Sequence, residues 1–350
     1  MYRGVIYALL AAALFGASTP LAKELLGDMH PITLAGLLYA GSGAGLAIVQ
    51  LVRVFVIRRA APVAWPSRRE WAWLGAAIVF GGIFGPILLM SGLVTTAAAT
   101  ASLLLTLESA LTAGLAWFVF GENFDWRIAL GMAAIVAGSI VLSIVPGGSG
   151  AVSAGALLVG GACLCWAIDN NLTRKVSAGD PILIAGLKGV VAGVVNLCLA
   201  LSLGYAMPRL GSIAAAAALG FLGYGLSLVL FVLALRHLGT ARTGAYFALA
   251  PFFGGILAVL FFGDALTLQL CIAAALMALG LWLHLSEKHV HEHVHEAVEH
   301  MHSHRHDEHH QHTHSFAWDG TEPHTHPHVH EATVHRHAHF PDIHHRHPHG

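Results

Sequence analysis

Apolar residues fall along this chain in ten long blocks, at approximately 4–23, 31–52, 71–92, 97–120, 126–145, 153–174, 181–204, 212–235, 241–262 and 266–285. Each is close to the roughly 20 residues that cross a hydrocarbon core as an α-helix. None alternates with the period of two that a membrane β-barrel requires. The breaks carry turn-forming residues: Asp28-Met-His-Pro31, Pro146-Gly-Gly-Ser-Gly150, Gly179-Asp-Pro181 and Pro208-Arg-Leu-Gly211. The pattern predicts an all-α polytopic membrane protein with ten transmembrane helices. The first block follows Arg3 but lacks a small-x-small cleavage pattern, so it is expected to be the first span and not a removed leader.

The pattern stops at Leu285. Of the 26 histidines, 23 lie in the remaining 65 residues, with 10 Asp/Glu against 4 Lys/Arg. The body before it is poor in charge: 11% of the whole chain is charged, where a globular protein carries about a quarter. Placing both termini in the cytoplasm puts Arg3, Arg53, Arg58, Arg59, Arg68, Arg69, Arg127, Arg174, Lys175, Arg236 and Arg242 on the inner side. Only Lys23 and Arg209 then face out. The positive-inside rule therefore predicts a plasma (inner) membrane protein with both termini cytoplasmic. Cys163, Cys165, Cys198 and Cys271 all fall inside apolar blocks and read as small packing residues.

The chain also repeats itself. A shift of 142 lays Leu93–Ile140 on Leu235–Trp282 without a gap, placing Gly138 on Gly280, and Gly81 falls on Gly223. Five spans per unit is an odd number, so the second unit enters the membrane from the opposite side. That is the inverted repeat by which secondary transporters frame a midplane site. The expected divisions are a first unit at 1–145, a second at 146–285 and a tail at 286–350.

The run Leu-Arg-His-Leu-Gly-Thr-Ala-Arg-Thr-Gly-Ala-Tyr-Phe-Ala-Leu-Ala-Pro251, with the apolar stretch that ends in Phe-Gly-Asp264, resembles the second unit of EamA-type carriers of the drug/metabolite transporter superfamily. The resemblance covers about residues 4–285. It implies ten helices, a central cavity and export of small molecules. Where many such carriers have a first-unit proline matching Pro251, this chain has Ser109, preceded by Glu108.

Ionisable side chains in apolar helices are costly and usually face a cavity or a partner. Glu108 lies midway along its block with no Lys or Arg in that block. It is expected to be protonated at rest, or to face water or a bound cation. Asp169 and Lys188 lie at similar depths on neighbouring helices and are expected to pair, with Asn170 and Asn171 satisfying backbone or lining water at the inner mouth. The competing reading ends the sixth helix early and leaves Asp169 interfacial. Trp166, Phe118, Tyr224 and Tyr246 are the aromatic candidates for a cavity wall. Pro86, behind Gly81 and Gly82, frees a backbone carbonyl in mid-helix and marks either a flexing gate or ordinary packing.

The tail has no apolar core and is expected to be disordered. Its His-x-His alternation offers imidazoles to divalent transition-metal ions through His289, His291, His293, His295, His302, His304, His306, His312, His314, His324, His326, His328 and His330. No phosphate-binding loop and no nucleophile with its base is present, so the protein is read as a transporter and not an enzyme. It needs no cofactor for transport and takes its drive from a proton or other gradient. The leading expectation is efflux of nickel, cobalt or zinc. The alternative is export of an organic metabolite such as an amino acid, with the tail as metal sensor or buffer. Expected partners are the substrate, the driving ion and membrane lipid, with no nucleic acid; glycine-rich helix faces permit a homodimer without requiring one.

Overall fold

The computed structural model describes residues 2–55, 68–120, 126–145, 151–173, 176, 181–285, 289–295, 298–304, 324–330 and 333–339. Helices form wherever the apolar blocks run. Among the described residues nine are long and apolar enough to cross a membrane, and a tenth apolar helix closes the bundle. In chain order they are α1 (Tyr2–Leu25), α2 (Pro31–Phe55), α3 (Arg68–Ala77), α4 (Gly85–Thr95), α5 (Ala98–Leu104), α6 (Leu107–Phe120), α7 (Trp126–Ser143), α8 (Ala154–Thr173), α9 (Pro181–Ser202), α10 (Leu210–Gly220), α11 (Ser227–Phe247), α12 (Ala250–Phe261) and α13 (Leu268–Leu285). Two π-helical stretches, Ile78–Phe84 and Phe221–Leu226, join α3 to α4 and α10 to α11. They are the same feature in the two units: 78 and 221 differ by 143, and 84 and 226 by 142. The fold is the all-helical bundle of two inverted five-helix repeats.

One boundary differs from the sequence expectation. The break between the eighth and ninth blocks is helical backbone within α11. The chain nonetheless turns back there. Gly223 lies at Ser18, Ser227 donates to the Ala11 carbonyl and His237 lies at Gly4, after which Ala250 has returned to Gly16.

Lipid supplies no hydrophobic drive between helices, so small residues and close backbone contact hold such bundles together. The two units meet most extensively at α2 and α9. There Gly43 lies against Gly189, and Ala40 against Gly193, backbone to backbone. Large apolar side chains point outward instead, as a lipid-facing surface requires: Phe118 is 74% exposed, Phe261 74% and Leu268 76%. Cys163 and Cys165 are buried in α8, while Cys198 and Cys271 are exposed.

Residues 287–350 make a separate compact unit. The described parts of this tail are strands: β1 (His289–His295), β2 (Val298–His304), β3 (His324–His330) and β4 (Thr333–His339). β1 pairs antiparallel with β4, and β2 with β3. The physical reason lies in the sequence. His-x-His alternation has the period of a strand, so pairing sets histidine opposite histidine at 289↔339, 291↔337, 293↔335, 300↔328, 302↔326 and 304↔324. His306, His312 and His314 lie outside the described residues.

Candidate functional site

The site grows from two broken helices. The fourth span breaks at Leu105–Thr106, between α5 and α6, and the ninth at Ala248–Leu249, between α11 and α12. In the ninth, Pro251 has no N–H to give the Phe247 carbonyl, so the helix opens there. In the fourth, the break persists without proline: Ser109, at the matching position, donates its hydroxyl to the Thr106 carbonyl at 2.8 Å.

Between the breaks lies a cavity of about 460 Å³. Its wall is Phe15 of α1, one side of the fourth span between Leu105 and Ala116, Asn170 of α8, residues of the ninth-span break between Gly244 and Pro251 but not Tyr246, and Leu281 of α13. From the breaks it extends past Thr112, Ala113 and Ala116 toward the face on which α1 begins, here the N-terminal face. Glu108 lines it in the first turn of α6, where a carboxylate complements the helix dipole. Asn170 donates to Glu108 Oε1 at 2.8 Å, and Asn171 donates to the Thr112 carbonyl at 3.2 Å and the Ala167 carbonyl at 2.9 Å.

Next to it stands a polar layer around the first π-helix. Lys188 Nζ lies 2.6 Å from both Asp169 oxygens, and Thr173 donates to Asp169 Oδ1 at 2.8 Å. The Asp169 side chain lies where a side chain on Gly81 would otherwise be, so only glycine fits at position 81. Pro86 lacks the N–H that the Gly82 carbonyl would take in an α-helix and the Gly81 carbonyl in a π-helix. Other helices supply those donors: the Asn196 amide to Gly82 at 2.9 Å, and the Tyr39 hydroxyl and Trp166 indole to Gly81 at 2.8 and 2.9 Å.

The opposite, far face is closed above the cavity. Pro20 of α1 cannot donate to the Gly16 carbonyl, which Gly254 of α12 approaches closely, with Ser102 of α5 beside it. A side chain on Gly16 would overlap the Ala250 carbonyl. Nearer the far surface, Lys23 donates to the carbonyls of Leu93, Val94 and Thr96 that end α4, and Asp264 accepts from the Ala99 N–H at the start of α5, at 2.6 Å. Cation at a helix C-terminus and anion at an N-terminus is the favourable arrangement.

Two five-helix units, a pair of broken helices and a cavity between them describe a carrier. The profile of the EamA-like transporter family matches twice, over residues 2–144 and 153–286. The chain belongs to the EamA-like transporter family. An uncharacterized transporter of Methanothermobacter thermautotrophicus is 28% identical to it over 294 residues, covering 80% of this chain and 85% of that protein. A solved crystal structure, described only as that of a protein, shares the fold with a TM-score of 0.59 at 21% identity, covering 79% of this chain and 95% of the other.

In this EamA-like transporter the five polar residues singled out from the sequence fall into two neighbouring groups. Glu108 and Asn170 face the cavity, while Asp169 and Lys188 bind each other beside it and Asn171 braces α6. Phe118 points outward, Trp166 serves the Gly81 carbonyl, and Tyr224 packs edge-on against Phe15 with ring centroids 5.8 Å apart. The aromatic rings on the cavity wall are instead Phe15 and Phe247, 5.4 Å apart. Sequence reasoning also passed over Tyr39, Asn196 and Thr112. A polar residue in mid-span, as at Asn196, is the signal that marks such donors. Among the described residues no group of three or more His, Cys, Asp or Glu is placed to hold a metal ion.

Proposed function

We propose that this protein is a gradient-driven exporter of a small organic molecule, which enters from the N-terminal face and leaves by the far face. The observation that carries this reading is the cavity. Its volume of about 460 Å³ lies in the range of small-molecule sites. Its wall is largely apolar, and it ends at a packed layer on one side only. A transition-metal carrier needs several ligating groups converging on one ion. Among the described residues Glu108 is the one carboxylate facing the cavity, because Asp169 is held by Lys188 and Thr173. The organic cargo is therefore favoured over nickel, cobalt or zinc. The charge distribution supports cytoplasmic termini, so the cavity opens toward the cytoplasm, where an exporter would load its cargo.

The tail has a different task in this reading. The tail's His-x-His alternation, with a backbone register that pairs six histidines with six others, supports a transition-metal store or sensor. The test compares cells expressing the protein with cells expressing Glu108→Gln. Mass spectrometry of the medium and elemental analysis of the cells are run in parallel. An organic compound accumulating outside only with the unaltered protein is the expected result. Depletion of a cellular metal with no organic change would replace this reading with metal efflux.

A further inference from the structure

Resting on the reading of an organic cargo, we propose that the cavity binds a small organic monocation, with its charged nitrogen on the Glu108 carboxylate and its apolar body against Phe15 and Phe247.

The charge balance comes first. Among the described residues Glu108 is the only ionisable side chain on the cavity wall. The neighbouring carboxylate, Asp169, has its charge matched by Lys188 at 2.6 Å. A ligand that complements this wall therefore brings one positive charge, since burying an unmatched charge is costly in either partner.

The hydrogen-bonding inventory points the same way. Glu108 Oε1 accepts from Asn170, and Oε2 has no protein donor among the described residues. Ser109 has spent its hydrogen on the Thr106 carbonyl and presents lone pairs. Pro251 leaves the Phe247 carbonyl without its helical donor at the C-terminal end of α11, where the dipole favours a cation. The Thr106 hydroxyl, with no partner among the described residues, can donate or accept, and the acceptors beside it suit the N–H groups of an ammonium. Two phenyl rings with centroids 5.4 Å apart add a surface that attracts a cation through its π-face and otherwise takes apolar carbon. One carboxylate suffices for such a ligand, whereas a bare divalent ion would keep an uncompensated charge.

The test uses the full-length protein in lipid nanodiscs and three probes of nearly equal shape: phenethylammonium, 2-phenylethanol and phenylacetate. Binding is measured by calorimetry. The expected result is the cation bound about tenfold or more tighter than the alcohol, and the anion weakest; tenfold corresponds to about 1.4 kcal/mol. Glu108→Gln is expected to bring cation and alcohol to within about twofold of each other. Ala116→Phe, which fills the cavity, is expected to weaken both while keeping their ratio. Alcohol or phenylacetate binding as tightly as the cation overturns the proposal, as does a preference that survives Glu108→Gln or the failure of all three to bind at millimolar concentration. Glu108-dependent transport of radiolabelled nickel with no response to any organic probe would overturn the organic reading itself. Tight phenylacetate binding would overturn only the monocation.

Discussion

The two halves of the bundle are built on one backbone plan and filled with different chemistry. A shift of 142 places Ser102 on Gly244, Ala250 on Glu108 and Gly254 on Thr112. At the closed end of the cavity the first member of each pair packs tightly: Gly16 lies against Ala250, which also reaches the cavity wall, and against Gly254, with Ser102 beside them. On the N-terminal side their counterparts line a cavity, and Gly244 has nothing within 4 Å of a would-be side chain. The π-helices repeat the contrast. Asp169 with its partner Lys188 lies on Gly81, whereas Ser18, bonded to its own Phe15 carbonyl, lies on Gly223. A charged pair can be opened and re-formed in the presence of water, while a glycine seam either packs or separates. Symmetry of the chain trace therefore does not make the two faces equal.

The largest expected effect comes from breaking the seam. Gly16→Leu puts a branched side chain into the Ala250 carbonyl, and overpacking of this kind costs about 3 kcal/mol. Thermal unfolding in detergent should show a markedly lower Tm, and an unchanged Tm would mean that the far side is not closed by this contact. Asp169→Asn comes next, because it leaves Lys188 without its counter-charge, at about 3 kcal/mol or somewhat less given partial exposure. Adding Lys188→Met should recover part of the loss. A double variant no more stable than the single would remove the pair as a stabilising element.

A smaller effect sharpens the comparison from the cavity side. Thr112→Cys with Gly244→Cys faces two thiols across open space in this structure, with Cys198 and Cys271 changed to serine. The pair should cross-link little at rest and more when substrate drives the cavity to close, read as a mobility shift after oxidation. Equal cross-linking in both conditions would mean that this face does not move. Tyr39→Phe removes one of two donors to the Gly81 carbonyl and should cost about 1 kcal/mol, seen as a Tm change of a few degrees.

The smallest effect is one of pH. On the far face His30 stacks on Tyr205, with centroids 3.5 Å apart, and accepts from the Ile32 N–H at 3.3 Å. Burial lowers its pKa below the usual 6.5, so the folded state favours the neutral ring. Its contribution to stability is complete above about pH 6.5 and is lost as pH falls through the lowered value. His30→Phe should reduce the fall in Tm between about pH 7 and 5. The same fall in the variant would assign it to other groups.

Much of this architecture is legible in the sequence because lipid imposes coarse rules. Ten blocks, their turn residues and the 142-residue shift give the spans and the repeat. The opposite charges and like depths of Asp169 and Lys188 give their pair. The donors to Gly81 and Gly82 were not read, because backbone carbonyls carry no letter in a sequence. Pro86 was the available clue, since it withholds one N–H and obliges Tyr39, Trp166 and Asn196 to replace it. Phe15 and Phe247 were missed for another reason. A phenyl ring facing a cavity and one facing lipid occupy similar apolar positions, so Phe118 was as good a candidate on paper. The tail's strand pairing was hidden by its lack of apolar residues, although its alternation has the right period.

The contact of α2 with α9 has a mechanical consequence. Where Gly43 meets Gly189, no side chain stands between the two backbones to slide or compress. Such a seam resists translation and tolerates rotation, as a fulcrum does. Helix ends farther from such a seam travel longer arcs for a given turn. The lever's reach is thus set by the absence of two side chains.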